Sequence, residues 1–125
     1  MLSVVIPAYN EEKCIKSAYN EVSSVLAKNG IDAEFVFVDD GSRDNTYHII
    51  AELADSCDNV VGLHLSRNFG KESAISAGLG AASGDCAVVI DCDLQHPPEK
   101  IVEMYRLWEQ GFEIVEGIKS SRGKE

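Results

Sequence analysis

At 125 residues, 45% of them hydrophobic, the chain has the length of one domain and can bury a core without disulfide or metal staples. Twenty-one acidic against eleven basic side chains give a net charge of −10, which repels phosphate backbones and anionic bilayers and argues against nucleic acid as a partner. The same charge admits a small phosphorylated ligand, provided that a divalent cation or backbone N–H groups neutralise it locally.

Leu2 to Ile6 is a short β-branched apolar run that Pro7 is expected to end, and Ile15, Ala18, Tyr19, Val22, Val25 and Leu26 then recur at helical spacing up to Asn29-Gly30. Phe35 to Val38 is continuously apolar, as in a strand buried on both faces, and runs into Asp39-Asp40-Gly41-Ser42. Asp44 or Asn45 can cap a helix carrying Tyr47, Ile50, Ala51 and Ala54. Val60 to Leu65 reads as a third strand. The glycine- and alanine-rich segment from about Lys71 to Ala82 reads as a helix whose small side chains allow close packing on a sheet. Ala87 to Ile90 is a fourth strand. Pro97 and Pro98 suit a first helical turn, Ile101, Met104, Tyr105 and Trp108 share one face, and Gly111 precedes a fifth strand, Phe112 to Val115. This alternation predicts an α/β fold, a mostly parallel sheet with helices on both faces.

In such sheets ligands bind at the carboxyl ends of the strands, so the residues just after each apolar run carry the information. They are polar: Pro7-Ala8-Tyr9-Asn10-Glu11-Glu12 after the first, Asp39-Asp40-Gly41-Ser42 after the second, and Asp91-Cys92-Asp93-Leu94-Gln95-His96 after the fourth. Asp91 and Asp93, with Gln95, suit Mg2+ or Mn2+, which take oxygen ligands and leave positions open for phosphates; a solvated turn that caps the next helix is the other reading. Asp39 and Asp40 are either ordinary turn residues or acceptors for a base N–H or a ribose hydroxyl. Tyr9 offers a ring to a base, whereas Glu11 and Glu12 can also serve a helix N-terminus. Arg67 and Lys71 flank Asn68-Phe69-Gly70 just before a helix, either as a phosphate clamp or as solvated charges. His96 and Cys92 read as structural, and Trp108 as core packing. Cys14, Cys57, Cys86 and Cys92 show neither CxxC spacing nor zinc-type pairing with His48, His64 or His96, so reduced thiols are expected. No apolar stretch nears the ~18 residues that span a bilayer, and no signal peptide opens the chain, so a cytoplasmic location is expected.

Together the strings VVIPAYNEE, VFVDDGSRDNT, LSRNFGKESAISAGLGAASGD and VVIDCDLQHPPE resemble family 2 glycosyltransferases of the GT-A (Rossmann-like) fold, and within them the polyprenyl-phosphate glycosyltransferases. The resemblance implies that Pro7, Ala8, Tyr9 and Glu11 line a nucleoside pocket and that Val38 and Asp40 contact the base. It implies that Asp91 and Asp93, with Cys92 between them, hold the donor diphosphate as the catalytic pair through Mg2+ or Mn2+, with Gln95 adding a metal contact. Lys119 matches a position usually held by a phosphate-binding arginine, whose bidentate fork a lysine cannot reproduce. The donor implied is a nucleoside-diphosphate sugar, a UDP-sugar in preference to a GDP-sugar, and the acceptor a lipid phosphate, with inversion. Family members continue into acceptor-side structure, and this subgroup often adds membrane helices. Residues 1–125 are therefore expected to be the nucleotide-sugar-binding part of a truncated catalytic domain, inactive in transfer by itself, whose full-length parent works at the cytoplasmic face of the membrane. Two rivals remain in view. A response-regulator receiver would put its acidic pair after the first strand, whereas here the pair follows the second. A noncatalytic nucleotide sensor would share the fold without the chemistry.

Overall fold

The computed structural model describes residues 1–95 and 97–111. The expected fifth strand, Phe112 to Val115, lies outside that range, as do Lys119 and His96. The elements run β1 (Leu2–Ala8), α1 (Ile15–Lys28), β2 (Ala33–Asp39), α2 (Thr46–Ser56), β3 (Val60–His64), α3 (Lys71–Ala81), β4 (Cys86–Val89) and α4 (Glu99–Glu109). Among the described residues the four strands form one parallel sheet in the order β3-β2-β1-β4.

Pro7 does not end the first strand; it lies inside β1, opposite Val38. The hydrogen-bond parity explains how. The Val5 carbonyl accepts from Ile90 N–H, while Leu2 N–H donates to Asp32 and the Ala8 carbonyl accepts from Asp40, so odd residues of β1 turn their backbone groups toward β4 and even ones toward β2. Pairing with β4 stops at Val5–Val89, so the N–H that Pro7 lacks would have had no strand to serve.

Alternation along the central strands sorts the core into two layers. Leu2, Val4, Ile6 and Ala8 of β1 join Phe35 and Phe37 of β2, Ile15, Ala18, Val22 and Leu26 of α1, Ile50 and Leu53 of α2, and Ile101 of α4. On the opposite face Val5, Val36 and Val38 meet Ala74 of α3. Helices therefore cover both faces, as expected. α3 approaches closely because Gly78 faces the sheet: a Cβ there would sit 2.5 Å from a Val5 methyl and 3.0 Å from one of Val38. Trp108 sits less deeply than its stripe suggests. It is half-buried against Tyr105 with ring centroids 5.5 Å apart, and α4 fully buries only Ile101. Of the expected pair, it is Asp44 whose side chain serves the start of α2. Asn45 holds the N-cap position without a side-chain bond, and Asp44 Oδ1 instead accepts from both the N–H (2.9 Å) and the hydroxyl (2.5 Å) of Thr46. No helix among the described residues is long and apolar enough to cross a membrane.

At the amino edge of the sheet a buried carboxylate is fully engaged. Glu34 is 8% exposed and accepts from the Ser3 hydroxyl (2.5 Å), Ser83 N–H (2.6 Å) and the Ser83 hydroxyl (2.9 Å), while Ser3 Oγ accepts from Gly84 N–H (2.8 Å). Burial pushes its pKa up, but these bonds outweigh that effect and hold it below the ordinary value. A depressed carboxylate contributes stability that is complete above its unfolded value of 4.5 and is lost as the pH falls through the lower, folded value. Glu34→Gln is expected to cost about 1–3 kcal/mol at neutral pH, measured by urea unfolding, and the deficit should narrow in acid. Gly78→Val should cost about 1–3 kcal/mol or more through overpacking, despite removing a helical glycine, and thermal melts would register it.

Candidate functional site at the carboxyl edge of the sheet

The chain order steps from β1 through β2 to β3 on one side and returns to place β4 on the other, so the switch in direction falls between β1 and β4. A cleft of about 300 Å³ opens there, lined by Pro7, Ala8, Tyr9, Glu11, Asp40, Lys71, Ala74, Asp91, Cys92 and Asp93. Three strand ends and the start of α3 thus converge on one hollow.

The loop after β1 is fixed by the loop after β2. Asn10 N–H donates to Ser42 Oγ (2.8 Å), Glu11 N–H to the buried Thr46 Oγ1 (2.8 Å), and Arg43 N–H to Asn10 Oδ1 (2.9 Å). Asn10 adopts φ +53°, a left-handed conformation that asparagine tolerates, and this turn leaves Tyr9 at the rim, 44% exposed. Glu12 serves a helix start, but that of α2 and not of α1: its Oε1 accepts Asn45 N–H at 3.0 Å.

Asp39 and Asp40 divide the work after β2. Asp39 is wholly buried, accepts Ser42 N–H on Oδ1 (3.0 Å) and meets His64 Nδ1 with Oδ2 (2.7 Å), so it shapes the turn and stays off the cleft wall. Asp40 does line the cleft, and its two oxygens accept Phe69 N–H (2.9 Å) and Gly70 N–H (3.1 Å). Gly41, at φ +70°, lets the two loops touch; a Cβ there would fall 2.3 Å from the Arg67 carbonyl carbon. Asp40 therefore ties down the 67–70 loop, a role its sequence context did not reveal. Val38, the other residue that the resemblance puts against a base, does not bring its side chain to the cleft. Its side chain is fully buried beneath α3, on the face opposite α1, and is not among the cleft residues.

After β4 a tight turn closes with Leu94 N–H donating to the Asp91 carbonyl (3.1 Å), and Leu94 is held at φ +53°, which costs a leucine roughly 1–2 kcal/mol. The turn brings Asp91 and Asp93 to the cleft and buries Cys92 between them, where burial, then the charges of Glu11 and its neighbours, push the thiol pKa far up. Gln95 is joined to Asp93 (Nε2 to Oδ2, 3.1 Å) but lies in a smaller hollow with Leu94, Pro97 and Ile101, outside the main cleft. Of the two cations after β3, Arg67 stacks on Phe69 at 4.9 Å, and Lys71 enters the cleft to donate to Asp91 Oδ1 at 2.6 Å. Ala74 is a lining residue that composition alone did not single out.

Glu11 feels this crowding. Burial raises its pKa first, the charges of Asp93, Asp91 and Asp44 add to the rise, and Lys71 opposes it. Among the described residues no group of three or more His, Cys, Asp or Glu side chains is arranged to hold a metal. Two carboxylates at one strand end nevertheless fit Mg2+ or Mn2+, which commonly bind through one or two carboxylates and complete their shell with water and substrate phosphates.

A family model described as glycosyl transferase family 2 matches residues 3–123. The chain belongs to that family. The bactoprenol glucosyl transferase of Shigella phage SfV is 43% identical over 121 residues, 97% of this chain and 39% of the relative. The uncharacterized glycosyltransferase YkcC of Bacillus subtilis (strain 168) is 41% identical over 120 residues, 96% of this chain and 37% of the relative. Among solved structures, residues 1–349 of S. aureus TarS in complex with UDP-GlcNAc are 28% identical, with a TM-score of 0.67 over 87% of this chain and 31% of that one. The chain thus spans less than two fifths of these two family 2 relatives.

A carboxyl group whose folded pKa is raised destabilises the fold once it ionises, so the cost sets in above 4.5 and is complete above the folded value. Glu11→Gln should therefore raise the melting temperature at pH 7, and the gain should vanish toward pH 4.5 and below. Melting curves across that range check the sign.

Proposed function

We propose that this chain is the donor-binding part of a glycosyltransferase that moves a sugar from a nucleoside diphosphate to a polyprenyl phosphate, with inversion. The observation that carries the reading is the gathering of Tyr9, Glu11, Asp40, Asp91 and Asp93 from three separate strand ends around one cleft at the switch point. Tyr9, at the rim, offers its ring to the base. Asp40 lines the cleft while holding the 67–70 loop, and its remaining lone pairs are available to a ribose or base. Asp91 and Asp93 would hold Mg2+ or Mn2+, which when bound stabilises negative charge on a departing nucleoside diphosphate. Gln95 positions Asp93, and Lys119 is assigned to the phosphates.

The polyprenyl-phosphate acceptor is supported by the 43% identity to a relative named for bactoprenol, and a UDP-sugar donor by the likeness to a structure containing UDP-GlcNAc. A phosphate acceptor is already anionic near neutral pH, so it needs less help from a general base than a hydroxyl would. On this reading the parent protein would work at the cytoplasmic face of a membrane.

Calorimetry with UDP, GDP and CDP, each with and without Mn2+, tests the reading. UDP should bind in a Mn2+-dependent manner, and Asp93→Ala should weaken it at least about tenfold, roughly 1.4 kcal/mol. Indifference of the chain to all three nucleotides, with and without the metal, would refute it.

A further inference from the structure

Lys71 is the basic side chain among the residues lining the cleft, in company with Glu11, Asp40, Asp91 and Asp93. Its Nζ lies 2.6 Å from Asp91 Oδ1, joining the first residue of α3 to the turn after β4. The helix does not explain this placement, since an ammonium in the first turn faces the positive end of the macrodipole. The carboxylates do, because Lys71 lines the same cleft as four of them and pairs with Asp91. The ammonium thereby engages one of the two carboxylate oxygens that Asp91 could offer a divalent cation.

We infer that Lys71 competes with the divalent cation for Asp91 and gives way when a nucleoside diphosphate enters, so that metal loads together with nucleotide and not ahead of it. The exchange suits the strength of the contact. Lys71 and Asp91 side chains are 58% and 28% exposed, and so solvated a pair is weak enough to bias a cation a few-fold but not to exclude it. An arriving diphosphate supplies new oxygens for the ammonium, so lysine and metal cease to oppose each other. In linkage terms Lys71 adds positive coupling between metal and nucleotide. The inference rests on the metal-assisted reading of the same cleft.

The test is Mn2+ binding to the 125-residue chain, followed by electron paramagnetic resonance of the free ion, with and without UDP. Lys71→Met, with Lys71→Gln as a second neutral variant, should bind Mn2+ alone about two- to fivefold more tightly than the wild type. The gain in Mn2+ affinity produced by UDP should shrink by at least that factor. Lys71→Arg, which keeps the charge, should stay with the wild type. Neutral variants that bind Mn2+ alone no better than the wild type, while the wild type still binds Mn2+ with UDP, would overturn the inference and leave the site assignment standing. Failure of every protein to bind Mn2+ with UDP present would overturn both.

Discussion

Hydrogen bonding along β1 ends at different heights on its two sides. Toward β2 the pairing continues to Ala8–Asp39, whereas toward β4 it stops at Val5–Val89. The three residues of β1 beyond that point have a neighbour on one side only, and the chain after β4 is free to turn away. Pro7 falls in that stretch with its nitrogen on the unpaired side, so it cannot extend the pairing with β4. The cleft follows from this divergence, and everything that lines it is positioned by where one ladder stops and the other continues.

The divergence also decides which charges meet. Asp91 and Asp93 leave β4 just as Glu11 turns out of β1, and after burial their charges help to raise the Glu11 pKa. Such crowding is unfavourable to the fold. It is concentrated next to backbone that already carries strain at Leu94. Asp40 contributes differently, because each of its oxygens accepts one backbone N–H, from Phe69 and Gly70, and holds the loop that delivers Lys71. The site is thus a balance between groups that repel and a smaller number that bind the loops together.

Much of this was legible from the chain. Among the described residues each strand and helix falls within a few residues of its expected place because apolar runs and helical spacing are local signals. The acidic pair after β4 was legible because the strand end fixes where such groups must lie. Pro7 was misread because proline usually closes a strand, and only the height of the neighbouring ladder shows that its missing N–H is harmless. The engagement of Glu34 by Ser3 and Ser83 was invisible because the partners lie 31 and 49 residues away. The left-handed Leu94 left no trace either, since leucine carries no preference for that conformation.

Glu34 and its serines sit at the amino edge, a full strand length from the cleft. Perturbations at such a distance act independently, so their effects should simply add. Anyone redrawing the ligand preference of this scaffold could therefore rebuild the turns around Tyr9 and Asp93 freely, provided that Ser3, Glu34 and Ser83 stay as they are to keep the chassis sound.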